Sequence, residues 1–402
     1  MNELPVGRRV AQWRVRRNMT QQQFADHLGK SKSWVDKVER GVRRLEQVSH
    51  LRMVAETLRI DLEVLLAGSA GESARPEPAT TGVDAVLAAL ARYHVEPPAR
   101  PPDVAELRSR LAHAEQSYRH ARYPELLVLL PGLVDAVRVA RAVRPGRATD
   151  CLLARGYGLV ALVLLKVDRP EAAWLAADRA VAAAQVTRDP WVAAAATVPL
   201  AQALRHGGRR RAAMEAAAVA AHRLLPGRSP GTPWATSSTT GDDPPADPAL
   251  LGTLLLQAGL AAAGRGDGRA ARDLLGRAGR AARDAGAGAE GGGAAVEAAR
   301  VVAEAALGEV TAATVRHERL VAGDEWRWLP PEHRAAYLLD AARAYVLGGN
   351  LLRAGRAVLE AERTARSEVH DRPSVRPLVA VVARSAAAPP ALTRLAATLH
   401  VT

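Results

Sequence analysis

Lysine is rare in this chain, and its placement is informative. Of 55 basic residues only Lys30, Lys32, Lys37 and Lys166 are lysine, and the first three fall within eight residues. Ser31, Ser33 and Trp34 are interleaved with them, and Arg43 and Arg44 follow closely. An ammonium is a compact, mobile point charge, whereas a guanidinium is a planar fork suited to bidentate contacts. Mobile cations beside hydroxyls suit phosphate oxygens and guanine edges, without arginine's bulk. The Trp34 ring has two readings: contact with a thymine methyl or sugar edge, or packing against the first helix. No other cluster offers comparable chemistry. His113 and His120 can share a helix face, but no carboxylate pair or metal-ligand spacing accompanies them. Cys151 opens the apolar run CLLARGYGLVALVLL and reads as a small buried residue. GRGDGRAA (264–271) follows a helical pattern and lacks the P-loop lysine, so it reads as a turn. Trp326 and Trp328, in WRWLPPEH, read as a cover over the end of a helix stack or as a pocket wall. No catalytic constellation stands out; no enzyme activity, cofactor or metal is expected.

The elements that must position the lysines lie in TQQQFADHLGKSKSWVDKVERG, residues 20–41. Thr20 with Gln23 three residues on has capping-box spacing. Phe24, Ala25 and Leu28 recur at helical spacing, and Gly29 suits a left-handed turn. Ser31 caps a second helix with Val35 and Val38 inward and Lys32, Ser33, Trp34 and Lys37 on its other face. The small Ala25 lets the two helices cross closely. This is the layout of a helix-turn-helix, whose second helix enters the DNA major groove.

Together with GRRVAQWRVRRNMT before it and SHLRMVAETLRIDLEVLL after it, this stretch resembles the Cro/C1-type (Xre) family of bacterial and phage repressors over about the first 66 residues. The resemblance implies a five-helix, lambda-repressor-like bundle. Val10 and Trp13 would face its core, Asn18 would close the first helix, and Ser49 and Asp61 would cap the fourth and fifth. Gln21 matches the family's phosphate-contacting glutamine, and Lys32 and Ser33 its base-reading positions. The sequence departs from the family pattern at Lys30, where an apolar residue is usual, and at Arg59, where glycine is usual.

The whole chain has 402 residues, 48% hydrophobic and only 3% aromatic, with a formal net charge of +13. That length suffices for two or more cores. Alanine and leucine dominate the apolar content and strand-forming clusters are scarce, so an all-α fold is expected. The charge points towards an anionic partner, yet arginine used wherever a cation will do explains much of it. The single cysteine excludes an intrachain disulfide and a cysteine zinc cluster. The amino terminus has no apolar signal-like segment, and the longest apolar run, 158–165, falls short of the ~20 residues of a membrane span. Residues 68–103 read as a Pro/Gly-rich linker containing a short helix at 84–92.

Beyond residue 103 the sequence repeats. Four turns align on Arg169, Arg209, Asp267 and Asn350. Small residues recur eight before (Ala161, Ala201, Gly259, Ala342), four after (Ala173, Ala213, Ala271, Ala354) and eleven after (Ala180, Ala220, Ala278, Ala361). Five before stand Leu164, Leu204, Ala262 and Tyr345. This resembles the tetratricopeptide repeat, most clearly in residues 335–363. Degenerate units turn near Tyr123 and Glu309. Residues 226–248, rich in Pro, Ser and Thr, read as a mobile insertion, and 285–293 as a glycine loop. Stacked units of this kind form a solenoid with a concave groove in which each unit touches its neighbours.

The expected architecture is a DNA-binding head (1–67), a linker (68–103) and an α-solenoid of tetratricopeptide-like hairpins (104–402). The expected function is sequence-specific regulation of transcription in the cytoplasm, on double-stranded operator DNA, as a homodimer formed through the array. The two parts resemble peptide-sensing regulators of Gram-positive bacteria. Their grooves clamp peptides with repeated asparagines, and this chain has only Asn2, Asn18 and Asn350. An acidic small molecule or peptide held by arginines is the expected effector. The alternative is a protein-interaction scaffold with a vestigial helix-turn-helix.

Overall fold

The computed structural model describes residues 6–16, 19–42, 48–58, 78–94, 102–225, 248–285, 292–385 and 388–401. Among these residues there is no strand. The chain divides into two compact units, Met1–Glu77 and Pro78–Thr402.

The first unit contains α1 (Val6–Arg16), α2 (Gln21–His27), α3 (Lys32–Glu39) and α4 (Val48–Leu58). Its core gathers Val10, the chain's only phenylalanine Phe24, Ala25, Leu28, Val35, Val38, Val54 and Leu58, with Trp13 packed against it. Ser49, expected as a cap, lies inside the first turn of α4, one residue after its start. Asn18 and Asp61 lie outside the described residues, as does any fifth helix.

The second unit begins earlier than expected. α5 (Pro78–Ala91) is not a free linker helix but part of this unit's core. Val83, Val86 and Leu90 repeat along one face and are buried, and at Gly82 a Cβ would lie 2.8 Å from the Leu127 Cβ. That apolar stripe demands a partner.

Six helical hairpins follow. They are α6 (Val104–Arg119) with α7 (Tyr123–Val143), α8 (Arg147–Lys166) with α9 (Pro170–Val186), and α10 (Pro190–His206) with α11 (Arg210–Arg223). Then come α12 (Pro248–Gly264) with α13 (Gly268–Asp284), α14 (Gly292–Ala306) with α15 (Val310–Ala322), and α16 (Pro331–Leu347) with α17 (Leu351–Thr364). Three short helices, α18 (Arg366–His370), α19 (Arg376–Ala383) and α20 (Pro390–Thr398), complete the unit. The 226–248 insertion falls outside the described residues up to 247.

All six hairpins turn in the same way. The residue before each second helix's cap is left-handed: Ala121, Asp168, Gly208, Gly266, Gly308 and Gly349. The cap amide then donates to the carbonyl five residues back. The pairs are Arg122 to Ser117, Arg169 to Leu164, Arg209 to Leu204, Asp267 to Ala262, Glu309 to Glu304 and Asn350 to Tyr345, at 2.8–3.0 Å. This Schellman closure satisfies carbonyls that a helix end would otherwise leave unpaired. The small residues expected at the repeat offsets lie in the helix contacts: Ala161, Ala173, Ala180, Ala342, Ala354 and Ala361 have no exposed surface.

The array is not an open solenoid. One continuous core joins residues 83–203 to residues 335–399, so the last hairpin packs back on the first ones. A buried polar cluster marks this closure. Lys166 Nζ on α8 reaches Glu332 (2.5 Å) on α16 and Glu368 (2.6 Å) on α18, the latter with no exposed surface. Glu368 also accepts hydrogen bonds from the Tyr123 hydroxyl and from Arg372. Burial alone would raise the Glu368 pKa, but Lys166 and Arg372 outweigh it and hold the carboxyl below its usual range. α8 is long and apolar enough to cross a membrane by composition, but 78% of its apolar window is buried inside this core.

Candidate nucleic-acid interface

The lysine-bearing helix is set by backbone chemistry on three sides. At the start of α2 the capping box closes both ways: Thr20 Oγ1 accepts the Gln23 amide (3.1 Å) and Gln23 Oε1 accepts the Thr20 amide (2.9 Å). Gly29 adopts φ +61°, and the Lys30 amide donates to the Ala25 carbonyl (3.0 Å). The turn between α2 and α3 is therefore the same Schellman closure that the array repeats. Ser31 Oγ then accepts the Trp34 amide (3.2 Å) and starts α3. From the third side α1 presses on α3 so closely that a Cβ at Gly7 would lie 1.9 Å from the Val38 carbonyl oxygen.

A buried ionic clamp fixes the far end of α3. Arg14 on α1 holds both carboxylate oxygens of Glu39 (2.6 and 3.1 Å) and donates to the Met19 carbonyl (2.6 Å). The Gln21 amide donates to the same carboxylate (2.7 Å). Gln21 was expected at a phosphate; here one of its two amide hydrogens is spent inside the head, and the other is available to a ligand. Arg14 and Glu39 escaped sequence reading because both look like solvated charges. The one signal was that Glu39 directly follows the inward Val38 in an α3 turn that α1 must cover.

What α3 presents outward is cationic. Lys32, Ser33 and Lys37 are exposed, Lys30 is half-buried in the turn, and Arg40 pairs with Asp36 one turn earlier. No acidic residue occupies the first turn of α3, so its positive dipole end is undiminished. Ser31 is exposed, but its hydroxyl serves as the cap. Trp34 is not on this surface. It is 9% exposed, sits in the core and meets His50 of α4 edge-on at 6.0 Å. Three residues beyond Ser31, its position turns inward with Val35 and Val38. Of the two readings the packing one describes this structure, although against α4 as well as the head's core. Arg43 and Arg44 lie outside the described residues.

The other candidates hold structural places. His113 and His120 are exposed. Cys151 is half-buried, and burial raises its thiol pKa, the opposite of nucleophile activation. Asp267 of GRGDGRAA caps α13 by accepting the Ala270 amide (3.0 Å), a repeat turn. Trp326 packs on Tyr337, while Trp328 is exposed. Among the described residues no three His, Cys, Asp or Glu side chains converge as a metal site.

Residues 5–66 match the family model of a helix-turn-helix domain. No curated protein matches the chain as a relative. Among solved structures it is similar to BtubC (BKLC) from P. vanneervenii, at 18% identity over 64% of this chain and 90% of that one, with a TM-score of 0.39. It is similar to Bacillus thuringiensis PlcR, solved in complex with the peptide PapR7 and DNA, at 13% identity over 71% and 95%, TM-score 0.29. Aspartyl phosphate phosphatase F from Bacillus subtilis is similar at 12% identity over 89% and 93%, TM-score 0.43. The chain thus joins an amino-terminal helix-turn-helix domain to an array of helical hairpins.

Proposed function

We propose that this protein is a transcriptional regulator of the Cro/C1 type, which binds operator DNA as a homodimer and responds through its array to an effector. The observation that carries this reading is the exposed cationic start of α3, with Lys32 and Ser33 beside Lys30 and Lys37, on a helix clamped from both ends. Phosphate contacts by the lysines would dock the head, and the first turn of α3 would read base edges. Arg43 and Arg44, just beyond α3, are assigned to phosphates. Dimerisation through the array follows from the small surface of one head and from the two-fold operators such heads use. The effector is an acidic small molecule or peptide, and the protein works in the cytoplasm without catalysing a reaction. PlcR, solved with both a peptide and DNA, is a precedent for pairing the two kinds of ligand.

The test is a gel shift on the gene's own promoter. Lys32→Ala should weaken specific binding by ~1–3 kcal/mol and relax preference at one position. Arg43→Ala should weaken all sequences alike and flatten the salt dependence by about one unit. Unchanged operator affinity in Lys32→Ala would remove α3 from the groove. No shift on any promoter fragment would favour the scaffold reading instead.

A further inference from the structure

The connection between α9 and α10 is built differently from the six hairpin turns. Here Thr187 Oγ1 donates to the Ala184 carbonyl (2.6 Å) and accepts the Asp189 amide (3.2 Å), where the hairpin turns use a backbone closure. Between them Arg188 adopts φ +55°. That conformation is unfavourable for a residue with a Cβ. The hairpin residues that do so have a visible return. Ala121 is buried in the core, and Asp168 accepts the Ser374 amide (2.5 Å). Arg188 is exposed, and among the described residues its guanidinium has no hydrogen bond or ion pair.

Arg188 instead lines a cavity of about 570 Å³ at the junction of α9, α10 and α11. That volume is in the range of ligand pockets, about 300–1,000 Å³. Ala184, Ala193, Ala194 and Ala220 give it an apolar floor. Arg223, from the last turn of α11, lines it too and is likewise exposed and unpaired among the described residues. The only carboxylate in the lining is Asp189. It is already engaged by Arg147 (2.6 Å) and by the Trp191 amide (2.7 Å), so it does not neutralise the two arginines.

We infer that this cavity binds an amphipathic organic anion, its carboxylate held by Arg188 and Arg223 and its apolar body laid over the alanine floor. Two charge-assisted hydrogen-bond donors facing an apolar surface match such a ligand and discriminate against its neutral counterpart. The site touches three helices from two consecutive hairpins, so occupancy favours one angle between them. Only that regulatory consequence rests on the regulator reading; binding itself does not.

The experiment uses the full chain, with decanoate and decanol as probes and anilinonaphthalene sulfonate as the fluorescent reporter. The reporter should bind saturably and be displaced by decanoate, with decanol at least about tenfold weaker. Arg188→Gln with Arg223→Gln should weaken decanoate at least about tenfold and leave decanol unchanged. The thermal midpoint of the double variant, measured alongside, should match the parent, since neither arginine holds a partner in the fold. A second variant, Thr197→Trp, fills the cavity from its lining and should abolish displacement by both probes. Equal affinity for decanoate and decanol, undiminished decanoate binding in the double variant, or no saturable reporter binding would overturn the inference. A gel shift run in parallel separates the two proposals: loss of operator binding with intact decanoate binding sinks only the regulator reading.

Discussion

Lys166→Met should open the closure of the array. The ammonium lies 2.5 Å from Glu332 and 2.6 Å from Glu368, and its side chain is 11% exposed. Methionine keeps the apolar stem but removes the charge that two carboxylates share. Glu368 would keep Arg372 and the Tyr123 hydroxyl. Glu332 would keep only a long contact to the Tyr118 hydroxyl, at 3.4 Å. Removing one partner of a buried pair costs roughly 3–5 kcal/mol, because the remaining charge is stranded. Arg372 stays to compensate Glu368, so the lower end, about 3 kcal/mol, is expected. The assay is urea unfolding followed by circular dichroism, beside small-angle scattering under native conditions. The variant should lose about 3 kcal/mol, and its radius of gyration should rise before global unfolding. Lys166→Met with Glu332→Gln should recover more than half the loss, since the stranded charge is then gone. If Lys166→Met stays within about 0.5 kcal/mol of the parent, the cluster does not hold the array closed and the reasoning fails.

Gly7→Ala should cost the head about 1–3 kcal/mol or more, since its methyl meets the Val38 carbonyl oxygen and forces α1 off α3; faster proteolysis within the first 60 or so residues would register it, and unchanged proteolysis would refute the close crossing. His317 is buried and 2.9 Å from the Tyr337 hydroxyl, and burial, followed by Arg353, lowers its pKa to about 4. The folded form therefore binds fewer protons than the unfolded one between about pH 6.5 and 4. Stability from this group is whole above pH 6.5 and falls by up to about 3 kcal/mol as pH drops through that window. His317→Gln should flatten the fall in thermal midpoint, and an identical pH profile would count against it. Gly266→Ala should destabilise the array by about 1 kcal/mol through its left-handed turn, whereas Ala270→Gly in the neighbouring helix should cost a similar amount by chain entropy alone and leave turn exchange rates unchanged; amide exchange at Asp267 distinguishes them.

The hairpin turns were legible because their chemistry is local. A left-handed residue, a cap and small residues at fixed offsets all lie within about twenty positions, and each offset corresponds to a helix contact. The head was legible for the same reason: Thr20, Gly29 and Ser31 each act on atoms no more than five residues away. What escaped is non-local. Nothing near Lys166 announces Glu368, 202 positions on, so the closure of the array on itself was not legible. α5 was read as linker because the prolines around it outweighed the Val83, Val86, Leu90 stripe. Trp34 was read both ways because helical spacing places it at the border of the outward face, and only the position of α4 decides its side.

The closure also bears on how the protein is made. Tyr123 and Lys166 leave the ribosome long before Glu368, the carboxylate that binds both. At 5–20 residues per second, the 202 positions between Lys166 and Glu368 take about 10–40 s to synthesise. Throughout that interval the early hairpins carry an ammonium without its full set of partners and an apolar face without its full cover. A nascent chain in this state is a substrate for chaperones and proteases. A stop codon or frameshift just ahead of residue 368, though it leaves the head and all six hairpins encoded, should therefore deplete the protein instead of yielding a shortened one.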